Sequence, residues 1–342
     1  MKVLIITNQW PSTEFPEKVP FLVQQVTYLQ RAGMDISVFA FRGCKNPINY
    51  LSAWFRLRRE FDLSTFDLIH AHFGPSGLMA LPRRRPLVVT FHGTDLRGIV
   101  GDKGRYHRLN VVSLLSRLIA RFADERIVVA NRLKSYLPQK YDINVIPGGV
   151  NLDHFRPLPR SEARRKLKLE DAGHLVLFAA DHRRAVKRFY LAEQAVSLLP
   201  EHCRARLIAI GDVPHHLVPI YMNASDVLLL TSKHEGSPTT VKEALACNLP
   251  VVSVDVGDVR ERLVSVAGCR VVEEDSPQSI ANALEEVLQL SRKEPNQAQM
   301  LMLDEKLVAQ QVITVYQRAI RRFAKGTKSV DITGMELNRD IS

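Results

Sequence analysis

Cysteine is scarce in this chain: Cys44, Cys203, Cys247 and Cys269 are scattered through 342 residues without a single Cys-x-x-Cys spacing. Nothing therefore points to a disulfide framework or a zinc ribbon, and the expected compartment is the reducing cytoplasm. No uninterrupted apolar run approaches the roughly 20 residues that cross a bilayer. The opening MKVLIITNQW turns polar too soon for a secretory signal and reads as a first strand. Internal repeats are also missing. What is present, 46% hydrophobic and 24% charged residues, is the composition of a globular chain long enough for two domains.

The net charge of +11 is unevenly placed. Residues 1–150 hold 21 Lys/Arg against 11 Asp/Glu, and the remainder 26 against 25. A basic first half fits nucleic acid, an anionic membrane surface or a phosphorylated acceptor. No recognised nucleic-acid module accompanies the charge, so nucleic acid is not expected as a partner. Leu51–Asp62 is a basic amphipathic segment, with Leu51, Trp54, Phe55 and Leu57 against Arg56, Arg58 and Arg59, and Arg83 to Arg85 add charge in a loop. Peripheral contact with the inner face of the cell membrane is one use for it, with Trp54 and Arg83 to Arg85 as the residues to test.

The most informative stretch is Val227–Glu261. Val227–Leu230 and Val251–Val254 read as buried parallel strands. Between them Ser237-Pro238 supplies a cap and a first-turn proline for a helix that stops near Asn248 and Pro250. A loop at a strand's carboxyl end and a helix N-terminus pointing into the crevice make an anion site, from the N–H groups of Gly236, Ser237 and Thr239 around Pro238. Glu235 and Glu243 lie eight positions apart. Carboxylates beside a phosphate would repel it, so they suit neutral hydroxyls such as those of sugar and ribose rings.

HEGSPTTVKEALACNLPVV resembles the E-x7-E signature of retaining glycosyltransferases of family 4, which have the GT-B fold. The resemblance implies two doubly wound, Rossmann-like parallel-sheet α/β domains facing across a cleft. It implies that Glu235 contacts the donor sugar and Glu243 the ribose of a nucleotide-diphosphate sugar. DLIHAH and VVTFHGTD resemble the family's strand-end segments. By that match His92 is the active-site histidine, with His72 and Asp95 as further cleft candidates. PGGVNLDHFRP resembles the interdomain segment. Lys187 matches the cation that holds the donor pyrophosphate. The usual Gly-Arg pair is replaced by Ala180-Asp181, which leaves Arg184 or Arg183 to supply the fork from further along the loop. The first loop, NQWPSTEFPEKVP, has no glycine where relatives have two. Gly257 stands in a loop where relatives often show Gly-Gly, with Asp258 replacing the second.

The expected layout is an acceptor-side domain over 1–155, a nucleotide-sugar domain over 156–305, a closing helix over 306–325 and a loose tail over 326–342. Only a short stretch separates Ala205–Ile210 from Val227, so the second domain should be a reduced version, with base recognition falling to Val213–Ser225. No metal or other cofactor is expected; an Asp255/Asp258 cation site is disfavoured because GT-B enzymes resemble one another in not needing one. The reading is a retaining hexosyltransferase using a nucleotide-sugar donor and a glycan or lipid-linked acceptor, in cell-surface polysaccharide or glycolipid synthesis. The alternatives are a GT-B nucleotide-sugar epimerase and a catalytically silent partner subunit.

Overall fold

The computed structural model describes residues 1–13, 19–43, 46–98, 111–169, 173–290 and 303–336, with side chains as far as Lys325. The chain divides into two compact units. The first takes the described residues up to Pro147 and from Ala309 onward, and the second is Gly148–Val308.

In the first unit six parallel strands run in the order β2-β1-β3-β4-β5-β6. They are β1 (Lys2–Thr7), β2 (Asp35–Ala40), β3 (Leu68–His72), β4 (Leu87–Phe91), β5 (Glu125–Val128) and β6 (Ile143–Val145). β1, β3 and β4 are near-continuous apolar runs with almost every residue buried, as strands covered on both faces must be. Helices α1 (Pro20–Arg31), α2 (Pro47–Glu60), α3 (Thr94–Arg97) and α4 (Val111–Phe122) connect them. α2 starts four residues earlier than the apolar pattern suggests, because the Asn46 side chain accepts a hydrogen bond from the Ile48 N–H at 3.0 Å and Pro47 fits the first turn.

The second unit repeats the plan with five parallel strands, ordered β11-β10-β9-β7-β8. These are β7 (His174–Phe178), β8 (Ala205–Ala209), β9 (Val227–Leu230), β10 (Val251–Val254) and β11 (Arg270–Val272). β11 has only three residues and begins with arginine, so periodicity gives no sign of it; pairing with β10 defines it. Helices α5 (Arg160–Leu167), α6 (Phe189–Ser197), α7 (Val218–Ala224), α8 (Thr239–Ala246), α9 (Val259–Leu263) and α10 (Pro277–Gln289) complete it. Asp226, just before β9, ties α5 to the sheet: it accepts from Arg164 at 2.7 Å, from the Leu175 N–H at 2.7 Å, and from Arg160.

Both sheets share one order. Counting strands within each unit, the sequence across the sheet is 2-1-3-4-5, extended by a sixth strand in the first. Each therefore has its switch point between its first and third strands, where an open parallel sheet leaves a crevice at the strands' carboxyl ends.

The last helix, α11 (Glu305–Glu336), starts in the second unit and from Ala309 belongs to the first. Its backbone stays helical through Glu336, where a loose tail was expected from residue 326. Its Tyr316 is fully buried and lies 2.8 Å from His70 Nδ1. Arg322 and Arg318 pair with the buried Glu125 on β5 at 3.2 and 3.5 Å.

Candidate functional site

At the second unit's switch point the loop after β7 meets the loop after β9. Thr231 Oγ1 donates to the Lys187 carbonyl at 2.8 Å, and the Lys233 N–H donates to the Val186 carbonyl at 2.9 Å. This stitching brings Lys187 Nζ to 2.6 Å from Glu235 Oε1, with both side chains 17% exposed. Two residues that stand 48 apart in sequence thus form one half-buried ion pair on the crevice side of the sheet.

Glu243 lies on α8, almost wholly buried, and its Oε1 is 3.1 Å from His215 Nε2. The His215 ring packs against Phe155, and His154 lies beside it at 6.3 Å between ring centres. Burial, with His215 next, pushes the His154 pKa down. His215 falls in the Val213–Ser225 stretch left for base recognition; its contact with Glu243 depends on how that stretch folds and carries no sequence signature. Arg188 was also missed. With φ +52°, it turns its guanidinium onto the Thr231 carbonyl at 2.6 Å and Asp275 at 2.8 Å, so it braces the Lys187 loop.

Several expected details differ. Ser237 does not cap α8: the helix begins at Thr239 behind Pro238, and Ser237 Oγ donates instead to Asp258 Oδ2 at 2.8 Å. Asp258 also accepts from Arg262 Nε at 2.6 Å, while Asp255 takes Arg260 at 2.7 Å, so arginines engage both carboxylates of the disfavoured cation site. Gly257 belongs to the same cluster. It adopts φ +60°, and a Cβ there would stand 2.6 Å from the Gly236 carbonyl, so glycine is required for the two loops to meet. The Arg184 side chain is exposed, and its backbone closes the turn, accepting from the Lys187 N–H at 2.8 Å. Arg183 is held by Asp181 and Asp212 at 2.8 and 2.6 Å.

Two further ionisable side chains, Lys242 on α8 and Glu305 at the start of α11, are buried. Lys242 is buried, donates to the Gly148 carbonyl at 2.6 Å, and is pushed down to about 8 by desolvation. Glu305 is likewise buried, and desolvation lifts it to about 8 against the opposing pull of Lys242 and the Gly149 amide.

In the first unit, His72 ends β3 at the switch point and His92 follows β4. His72 Nδ1 lies 3.1 Å from His92 Nε2. Burial, with its histidine neighbours, holds His72 well below the usual imidazole range, and burial lowers His70 to about 3. His72 therefore enters its contact with His92 as a neutral ring. Rings of Phe73 and Phe21 flank His92 at 4.4 and 5.3 Å, and Phe73 holds φ +66°, a strained value for a side chain of its size. Asp95 acts through the backbone: it accepts from the N–H groups of His92, Gly93 and Gly74 at 3.0, 2.8 and 2.9 Å. Burial raises its pKa and those three donors oppose the rise. It locks the His92 loop onto the loop after β3.

Among the described residues, one His/Cys/Glu group gathers its ligand atoms within 4.8 Å: His202, Cys203 and Glu285, none of them in either cluster. Burial and Glu285 raise the Cys203 thiol pKa, which works against the thiolate a metal would need.

Comparisons with known proteins bear on the family and the fold. The model of Glycosyltransferase Family 4 matches residues 1–154, and that of Glycosyl transferases group 1 matches residues 163–300. A Bacillus subtilis glycosyltransferase assigned to teichuronic acid biosynthesis, TuaC, is 27% identical over 325 residues, covering 76% of this chain and 82% of that protein. A D-inositol 3-phosphate glycosyltransferase of Thermobispora bispora is 25% identical, covering 70% and 66%. Among solved structures, sucrose-phosphate synthase of Thermosynechococcus elongatus superposes with a TM-score of 0.67 at 16% identity, over 97% of this chain and 99% of the other. HepE of Anabaena in complex with UDP-glucose gives 0.65 at 16%, over 95% and 100%.

Proposed function

Because the chain belongs to the GT-B glycosyltransferases, family 4 in its first part and group 1 in its second, we propose that it moves a sugar from a nucleotide-diphosphate sugar to an acceptor hydroxyl with retention of configuration. The observation that carries this reading is the Lys187–Glu235 pair at a switch point, followed by Glu243 on the next helix. Together they offer a cation suited to a diphosphate and two carboxylates suited to the hydroxyls of a sugar and a ribose.

In this reading the bond between the sugar's anomeric carbon and the diphosphate oxygen breaks, and the acceptor oxygen bonds to that carbon on the same face. The acceptor's proton passes to the departing diphosphate oxygen, so no covalent nucleophile is required. Lys187 and the free N–H groups at the start of α8 stabilise the charge growing on the diphosphate, the kind of preorganised term that dominates such reactions. Side chains carry that task rather than a chelated cation, since arginines hold Asp255 and Asp258. Glu235 accepts hydrogen bonds from the sugar and Glu243 from the ribose, displacing His215. His92, its loop fixed by Asp95 and its ring held beside His72, is assigned to the sugar by the family resemblance. The teichuronic acid relative supports a role in cell-surface polysaccharide synthesis, and the structural neighbours crystallised with UDP or UDP-glucose make uridine the first base to try.

A thermal-shift panel of nucleoside diphosphates tests the donor side. One base should raise Tm through binding linkage, and Glu243→Ala should abolish the rise. A chain that no nucleoside diphosphate stabilises would not be a nucleotide-sugar enzyme. Product analysis with labelled donor then separates transfer from epimerisation.

A further inference from the structure

The second unit holds a contact that an empty donor site keeps and a filled one must give up. Glu243 projects from α8 with its side chain 6% exposed. Among the described residues its one side-chain hydrogen-bond partner is His215, at 3.1 Å. His215 opens a short turn of helix, His215–Leu217, in the connection between β8 and β9. That connection brings the imidazole to a carboxylate 28 positions further along the chain. Phe155 packs against the ring at 5.4 Å and keeps it turned toward α8.

The two partners are unequal. Glu243 is fixed on a helix and shielded, so losing its donor would strand a charged group away from water, which is costly. The His215 side chain is 26% exposed and can meet water when it lets go. An ionised carboxylate only accepts, so the imidazole holds it through a single N–H. A ribose offers two neighbouring hydroxyls, one for each carboxylate oxygen. While the imidazole is neutral, the exchange favours the ribose. Once the imidazole is charged, the contact becomes an ion pair between shielded groups, and the exchange turns against the ribose.

We propose that His215 is a built-in competitor of the donor: it occupies Glu243 while the site is empty, and the ribose must displace it, less readily once His215 has taken up a proton. This rests on the glycosyl-transfer reading, in which Glu243 receives the ribose. The titratable groups around the imidazole are Glu243 from α8, His154 from the segment after Gly149, and His216 on its own turn. Lys242, beside Glu243 on α8, titrates near pH 8 and stays mostly cationic below it, so it does not switch in the range where histidines do.

Calorimetry on the full chain with UDP-glucose, ADP-glucose and GDP-mannose tests this. Their diphosphates are esterified at both ends and keep one charge across the pH range where histidines titrate. At least one should bind, about threefold to tenfold more weakly a pH unit below the ordinary histidine pKa than half a unit above it. His215→Ala should bind more tightly than the unaltered chain at the lower pH and lose the pH dependence. His215→Gln, whose amide can reach the same carboxylate without titrating, should restore the weaker binding yet stay insensitive to pH. His154→Gln and His216→Gln should keep the dependence. A merely structural His215 would instead give weaker binding in both of its variants at every pH. That result, an undiminished pH dependence in His215→Ala, or a dependence that vanishes with His154 or His216 would overturn the proposal. Nucleotide-sugar binding without these effects discards the exchange alone. Failure of all three nucleotide sugars to bind discards the glycosyl-transfer reading, and the exchange with it.

Discussion

Lys187 is the residue whose removal should cost most, because growing charge on a diphosphate has little else to meet it at this switch point. Lys187→Met is expected to lower kcat at saturating donor by about a hundredfold to a thousandfold, read from initial rates of transfer. A fall in donor affinity alone, with kcat intact, would mean that Lys187 binds the ground state and does not assist departure. At this scale the sequence was legible where short motifs hold chemistry: Glu235, Glu243 and Lys187 fall within recognisable local patterns. It was silent on His215 and Arg188, because what they touch is decided by how two loops fold together. Arg184 is a different case: its charge suggests a phosphate role, and in the fold its side chain lies in solvent while its carbonyl closes the turn.

Among the elements, α2 is where pattern and packing part. The sequence put Trp54 on an apolar stripe fit for a membrane. In the fold Trp54 is half-buried, its Nε1 donates to the Leu81 carbonyl at 2.7 Å, and the Arg58 guanidinium covers its ring at 3.6 Å. Ala53 and Leu57 face the core, whereas Ile48, Leu51 and Phe55 are 72%, 59% and 61% exposed. Arg83 and Arg85 are likewise drawn into local contacts, with Asp124 and the Ser64 carbonyl. Peripheral membrane contact is therefore proposed through Leu51 and Phe55, beside Arg56 and Arg59. Leu51→Ser/Phe55→Ser should abolish pelleting with anionic vesicles and leave Tm nearly unchanged, since both side chains already meet water. Pelleting that persists in this variant would remove α2 from the interaction. A period of 3.6 residues marks an apolar face, but which part of it is covered depends on the neighbouring chain, here the segment around Leu81.

For the whole molecule, alternating strands and helices were enough to read two parallel-sheet units, because buried β-α-β repeats leave continuous apolar runs. The junction was harder: the first unit ends at Pro147 and resumes at Ala309, a division set by packing rather than composition. Beside that junction the buried Lys242 and Glu305 give the second unit a pH signature. Glu305 is raised from 4.5 to about 8. Its contribution is complete below its unfolded pKa and is lost as pH rises through about 8. Lys242 is lowered from 10.5 to about 8, so its contribution is present above the unfolded value and is lost as pH falls through about 8. Between about pH 5 and 8 the Glu305 change dominates, and stability should decline with rising pH. Glu305→Gln should flatten that decline in Tm measured from pH 5 to 8. Parallel curves for variant and wild type would show that Glu305 ionises in the folded chain as freely as in the unfolded one.

The ion pair of Lys187 with Glu235 has one more implication. Any visitor that claims the ammonium takes the ion-pair partner from a half-buried carboxylate, and is held better if it gives that carboxylate a hydroxyl in exchange. Inorganic pyrophosphate meets only the ammonium, whereas a hexose diphosphate ester brings hydroxyls for the carboxylate. Discrimination against bare inorganic pyrophosphate is thus built into a mutual grip that must be exchanged on both sides at once.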